Sequence, residues 1–410
     1  MPARTHYGGW LPRDHEFLKD WIHKRIEKLG RARSDGDLLP VIKEFKNLIE
    51  TDYQIFIYFQ QGFEQLVREN NDAQDRNYVN NYTTMLHLMN DTIQQAPAFV
   101  QSGEGNVIGV PLYAILDSIM NTTGGFAAFV NPKVNLQLYN VLTYWSNYLV
   151  TPDSRHVLTD ADEGWFGLKA TSMMPNFAET YVCQPDKPYH GFTSWDEFFT
   201  RLFRPGKRPV FPDEDNFINN ACESTVFRKA SDVKENDTFW LKGQPYSLVD
   251  MLNNDSFAPQ FAGGTVYQAF LSPLDYHRWH SPVNGTIEKT VLLPGTYYSA
   301  VPDNEGDGAI IRSQPYITAV AARALIFIRS SNPSIGLMCF VGVGMVEVSS
   351  CEIIVNPGDK VSKGQQIGMF HFGGSTHCLI FRPETKLVFT EEAGDDKHVE
   401  VNLGIAHVTN

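Results

Sequence analysis

The stretch MFHFGGSTHCLIF, residues 369–381, is an apolar, aromatic-rich strand interrupted by Gly373, Gly374, Ser375 and Thr376. Glycine weakens a strand interior and marks a bend or a close backbone approach. One reading is therefore a bulge or tight turn between two strands. The other is that Ser375 does chemistry on the chain itself. A serine hydroxyl that follows a glycine carbonyl can attack that carbonyl when the backbone is held strained, moving the acyl group from nitrogen to oxygen. Gly374, lacking Cβ, reaches the geometries this requires. A histidine must take the hydroxyl proton, and a carboxylate should orient that histidine. β-Elimination of the ester frees the upstream chain and leaves dehydroalanine, which hydrolyses to a pyruvoyl group. That carbonyl forms a Schiff base with an amine and acts as an electron sink.

Working outward, VNPGDKVSKGQQIGMFHF (355–372) places turns at Pro357-Gly358-Asp359 and Lys363-Gly364 between short strands. From about residue 205, short β-branched and aromatic runs alternate with Gly, Pro, Asn and Asp, which reads as a β-rich domain. The first 180 residues read as helical. Val41, Ile42, Phe45, Leu48 and Ile49 recur at helix spacing, as do Phe56, Phe59, Phe63 and Leu66. Met85, Leu86, Leu88, Met89 and Ile93 predict another helix. Pro111 opens a further one that Gly124-Gly125 should stop, and residues 131–150 supply the next. The aromatic stripes in these helices are read as core. SWDEFFTRLFRPGKRPVFPDED (194–215) reads as one helix and a Pro-rich connection. The fold class is α+β: a helical N-terminal domain, residues 1–180, followed by a β-rich domain, residues 181–410.

The bulk numbers bound the function. A chain of 410 residues exceeds one ordinary core. A formal charge of −13 disfavours nucleic acid or an anionic membrane surface as partner, without excluding a small zwitterionic substrate. No run approaches the ~18 apolar residues of a membrane helix, and the N-terminal MPARTHYGGWLPRDHEF lacks a signal-peptide core. Cys183, Cys222, Cys339, Cys351 and Cys378 form no CxxC pair, so they are read as reduced thiols and the chain as cytoplasmic.

Other chemistries find less in the sequence. His277 and His280 in DYHRWHSP stand three apart, a conceivable zinc pair on a helix. Ser272-Pro273 and Ser281-Pro282 bracket them against a long helix, and no third ligand has a recognisable spacing. GGSTH is not the G-x-S-x-G nucleophile elbow. Phosphate loops and a pyridoxal lysine motif are absent.

FGGST (372–376), DYHRWHSPVNG (275–285) and SWDEFFTRLFRPGKRPV (194–210) together resemble the phosphatidylserine decarboxylase family in order and spacing, over roughly residues 185 to 410. The resemblance implies a β-rich decarboxylase domain that cuts itself between Gly374 and Ser375, leaving two chains. Ser375 becomes a covalent pyruvoyl cofactor, with no PLP and no metal. It also places the self-cleavage base at His280, its orienting acid at Glu223, and substrate handling and proton donation at His277. Glu223-Ser224 departs from the family's aspartate–glycine, and Ala321-Ala322-Arg323 replaces a polar stretch of the phospholipid enzymes. These departures, with LLPVIKEFKNLIETD, IMNTTGGFAAF, YSLVDMLNNDSFAPQF and VGMVEVSSCE, resemble a soluble fungal branch of the family that acts on L-tryptophan. The expected activity is decarboxylation of a free aromatic L-amino acid, L-tryptophan to tryptamine, with no stable membrane association. The alternatives are phosphatidylserine as substrate, a non-catalytic member acting as a binding module, and a metal-dependent hydrolase.

Overall fold

Helical periodicity in the first 150 residues becomes seven α-helices among the described residues of the computed structural model. It describes residues 15–30, 34–69, 79–101, 107–211, 213–236, 246–300, 313–347 and 350–409. They are α1 (His15–Leu29), α2 (Pro40–Thr51), α3 (Tyr53–Glu69), α4 (Tyr82–Thr92), α5 (Pro111–Met120), α6 (Thr123–Phe129) and α7 (Pro132–Leu149). Proline opens α2, α5 and α7, where its missing N–H costs nothing. Ile42, Phe45 and Ile49 form the buried stripe of α2, whereas α5 is apolar almost all round and lies inside the helical layer.

One expectation about these helices is corrected. Gly124-Gly125 does not stop a helix; α5 ends at Met120, and both glycines lie inside α6, which Thr122 caps through its bond from the Gly125 N–H. The pair serves close packing instead. A Cβ on Gly124 would stand 2.5 Å from both Gly62 N and Tyr58 O of α3. Gly124→Ala should therefore lower stability by about 1–3 kcal/mol, read as a drop in Tm; an unchanged Tm would show that α3 and α6 move apart freely.

Among the described residues there are sixteen strands, two of them, β1 (Val100–Gln101) and β2 (Val107–Ile108), a small ladder inside the helical half. The others are β3 (Phe217–Asn219), β4 (Ser224–Val233), β5 (Gly264–Leu271), β6 (Arg278–His280), β7 (Gly285–Leu293), β8 (Arg323–Ser330) and β9 (Leu337–Met345). After them come β10 (Cys351–Ile353), β11 (Lys360–Val361), β12 (Gln366–Phe370), β13 (Gly374–Phe381), β14 (Leu387–Phe389), β15 (His398–Val399) and β16 (Gly404–Val408). An eight-stranded antiparallel sheet runs β11-β7-β8-β9-β13-β5-β4-β15, with smaller sheets β10-β12-β6 and β14-β16-β3. The expected turns at Pro357-Gly358 and Lys363-Gly364 are present, with Gly358 and Gly364 at φ 93° and 79°.

Strand alternation divides the core. On one face of the large sheet, Val341, Val343, Met345, Phe270, Cys378 and Ile380 join the helices in a single buried cluster. On the other, Phe340, Ala269, Leu271, Leu379 and Phe381 pack against Trp279, Ile367 and Phe370 of the small sheet. Every residue of β9 and β13 is buried, which is why both strands read as near-continuous apolar runs. The fold is α+β, and its helical layer is built onto one face of the sheet.

Candidate functional site

The quoted interruption lies where β12 gives way to β13. Gly373 takes φ 127°, a conformation that favours glycine, and bends the chain so that β13 starts at Gly374. The bend read from the glycines is present, and it falls directly before a buried Gly-Ser bond. Gly374 pairs with Met345 of β9, and Ser375 lies between Gly344 of β9 and Leu271 of β5. Beyond Met345, Val346 adopts φ 51°, an outlier for a β-branched residue that costs about 1–3 kcal/mol. Two left-handed residues therefore face the end of the β9–β13 ladder. Ser375 is fully buried, and its Oγ has no hydrogen-bond partner.

The histidine pair falls on and beside a strand, not a helix. β6 carries His280 and pairs with β12, while the His277 carbonyl accepts from the Phe370 N–H at 2.9 Å. An odd spacing in extended chain sends the two imidazoles to different surroundings. His277 stacks on Phe199 at 3.8 Å between centroids, and neither ring nitrogen has a partner. Burial, assisted by Arg201, holds its pKa well below the ordinary value. His280 Nδ1 donates to the Gly364 carbonyl at 2.7 Å, which leaves Nε2 as the basic lone pair, 2.9 Å from the Tyr276 hydroxyl that donates to it. Burial lowers His280 to about 4, although the Gly364 bond opposes this.

Glu223 follows β3 and is buried in a bidentate pair with Arg208, with Nε 3.1 Å from Oε2 and Nη2 bonded to Oε1. Its Oε2 also accepts from the Val401 N–H at 2.9 Å. Glu223 and His280 are neighbours through the backbone, the His280 N–H donating to the Ala221 carbonyl at 2.8 Å, but their side chains share no hydrogen bond. Ser375 is hydrogen-bonded to neither histidine. Among the described residues, no group of three His, Cys, Asp or Glu side chains is placed to hold a metal, and no helix is long and apolar enough to cross a membrane.

Three features escape sequence reasoning. His377 follows the interruption on the same strand face as Ser375, beside Tyr267 and Phe340, with both ring nitrogens unpartnered and a pKa pushed by burial to about 3. Arg208 stands in the quoted RPGKRPV, but only the fold brings it to Glu223. Glu347 lies just past β9; its Oε1 accepts from the N–H groups of Leu112 and Tyr113 at 2.7 and 3.0 Å, while Oε2 is buried without a partner.

A family model described as phosphatidylserine decarboxylase matches residues 195–406, and another of the same description matches residues 39–174. Among curated proteins, the chain is 48% identical over 320 residues to "Decarboxylase iboD" of Amanita muscaria (strain Koide BX008), covering 73% of this chain and 91% of that one. It is 38% identical over 413 residues to an L-tryptophan decarboxylase of Psilocybe cyanescens, covering 94% and 90%. It is 31% identical over 216 residues to phosphatidylserine decarboxylase proenzyme 2 of Oryza sativa subsp. japonica, covering 52% and 34%.

Proposed function

Because the chain belongs to the phosphatidylserine decarboxylase family and is a decarboxylase, we propose that it cuts itself between Gly374 and Ser375 and then decarboxylates a free aromatic L-amino acid, converting L-tryptophan to tryptamine. The observation that carries the substrate is the similarity to an L-tryptophan decarboxylase along 94% of the chain. The net charge of −13 agrees with a small zwitterion better than with an anionic bilayer.

The residues around Ser375 fit a pyruvoyl group at that position. An unpartnered buried hydroxyl is costly unless used, and here it follows a glycine carbonyl at a bend. In the cut, Ser375 Oγ bonds to the Gly374 carbonyl carbon as the C–N bond breaks. Loss of the Ser375 α-proton with the Gly374 carboxylate as leaving group gives dehydroalanine, and water then releases ammonia and leaves the pyruvoyl. That group supplies a ketone that condenses with the substrate amine and accepts the electrons released with CO₂.

The chain's own residues do the rest. His280, neutral because of burial, takes the Ser375 proton on Nε2 once Tyr276 yields it. Glu223 positions His280 by anchoring, with Arg208, the segment whose Ala221 carbonyl holds the His280 N–H. His277, whose ring nitrogens have no other task, handles the substrate and returns a proton to the α-carbon. After the cut, residues 375–410 still supply β13 between β9 and β5, and β16 between β14 and β3. The two chains should stay together without denaturant.

The proposed base sets a pH dependence. His280 must be neutral to accept a proton, and its folded pKa is about 4. Self-cleavage of freshly translated precursor should hold its rate from pH 8 to 6 and slow only as pH approaches about 4. Gel analysis of timed samples checks this. Slowing already at pH 6.5 would assign the base to an unperturbed histidine. The substrate reading is tested by supplying L-tryptophan and phosphatidylserine vesicles in parallel; tryptamine is expected from the first, and phosphatidylethanolamine alone would overturn it.

A further inference from the structure

A buried string of side-chain hydrogen bonds ends beside the Gly374–Ser375 bond, on the helix-facing side of the large sheet. The Tyr246 hydroxyl donates to Gln268 Oε1 at 2.6 Å. Gln268 Nε2 donates to Gln314 Oε1 and to Thr376 Oγ1, each at 3.0 Å. Gln314 Nε2 in turn donates to Met345 Sδ at 3.2 Å. Gln268 and Thr376 are fully buried; Gln314, the first residue of the short helix Gln314–Val320, is 2% exposed. Met345 is the ladder partner of Gly374, and Thr376 directly follows Ser375, so the string touches both sides of the bond that is cut. The direction of each bond is fixed. Thr376 gives its own proton to the Ala269 carbonyl at 2.9 Å, so its oxygen accepts from Gln268. Gln268 therefore turns its NH₂ toward Thr376 and Gln314, and its oxygen toward Tyr246. Gln314 meets that NH₂ with its oxygen, which sends its own NH₂ to Met345. Both amide oxygens are committed, and what reaches the partner of Gly374 is an N–H donor. Two amides and a phenol among Val341, Val343, Cys378 and Ile380 are costly unless each is well satisfied. A thioether is a weak acceptor, and this donor is matched to a stronger one.

We infer that Gln314 Nε2 holds the α-carboxylate of the amino-acid substrate, with Gln268 and Tyr246 as the positioning residues that aim it. The inference rests on the self-processing and amino-acid readings, and adds to them the contact for one substrate group. Of the groups an aromatic amino acid brings, the amine is consumed in condensing at position 375, and an indole N–H is a donor. The carboxylate is the acceptor. It hangs on the carbon next to the condensing nitrogen, so it stays at the start of β13, where Met345 faces the place of Gly374. A neutral amide orients that carboxylate without neutralising it. A guanidinium there would stabilise the charge that must leave as CO₂, and an interaction stronger in the ground state than in the transition state costs rate.

The test is steady-state kinetics on processed enzyme, with intact mass recorded on the same samples. L-Tryptophan is the substrate, and tryptamine, which lacks the carboxylate, is the competitive inhibitor. Gln314→Met keeps an unbranched side chain of similar size and removes the donor. The variant should be fully cut, with KM for L-tryptophan raised about tenfold or more, the worth of a hydrogen bond to a charged group. Its Ki for tryptamine should match that of wild type. Gln268→Met keeps Gln314 but no longer aims its amide; KM should rise by a smaller factor, again with Ki unchanged. A pocket that merely lost its packing would weaken both ligands, so the split between KM and Ki is the deciding readout. An unchanged KM in Gln314→Met, or a Ki that rises as far as KM does, overturns the assignment while self-processing stands. So does a Gln314→Met chain that stays uncut beside a cut wild type, because the network would then serve cleavage. A wild type that is cut but ignores L-tryptophan overturns the substrate reading and the contact with it. An uncut wild-type chain overturns the self-processing reading as well.

Discussion

Ser375→Ala should purify as a single chain of 410 residues and form no tryptamine above the uncatalysed background. The physical reason is that one atom serves two purposes. Ser375 Oγ is the nucleophile of the cut, and the same residue's carbons become the ketone. Removing the oxygen stops both, and no other side chain supplies a carbonyl electron sink. The substitution should not disturb the fold, because Oγ makes no hydrogen bond and alanine is common in buried strands. Circular dichroism and Tm should match those of a precursor. A Ser375→Ala protein that still makes tryptamine would place the chemistry elsewhere.

His277→Ala should separate the two reactions. The chain should still be cut, because His280 is assigned the Ser375 proton, yet decarboxylation should fall by about 10²–10⁴, the usual worth of a positioned acid. The loss should appear in kcat with little change in KM, as for an interaction made in the transition state. His277 is buried against Phe199 with both ring nitrogens unpartnered, an arrangement that costs about 1–3 kcal/mol when it serves no purpose. Rapid-quench tryptamine assays on fully cut variant protein check this. A variant with wild-type kcat would reduce His277 to a packing residue. Failure to cut would make it part of the self-cleavage machinery instead.

Much of the fold was legible in the sequence, because periodicity and turn chemistry are local. The α2 stripe of Ile42, Phe45 and Ile49 announces its own buried face, and Gly358 and Gly364 occupy the turns their sequence required. Gly124-Gly125 was misread because a glycine pair looks alike at a helix end and at a helix crossing. What distinguishes them is Gly62, on another helix. The site shows the same division. Ser375, His277 and His280 stand in short motifs whose chemistry can be argued in place. Glu347 could not be recognised that way, since its partners at the start of α5 are more than 230 residues upstream. Arg208 and Glu223 are each visible, but their pairing is a tertiary fact that also occupies both oxygens of the acid. His377 reads locally as one more strand residue, and only the two-sided burial of β13 reveals an imidazole sealed beside Ser375.

The central claim is that the chain makes its own carbonyl, and intact mass of purified wild type under denaturing conditions tests it most directly. The account predicts two species, one comprising residues 1–374 and the other residues 375–410. The smaller should be lighter than a serine-started fragment by the mass of one ammonia. A single unbroken 46.3 kDa chain that nonetheless decarboxylates tryptophan would contradict it.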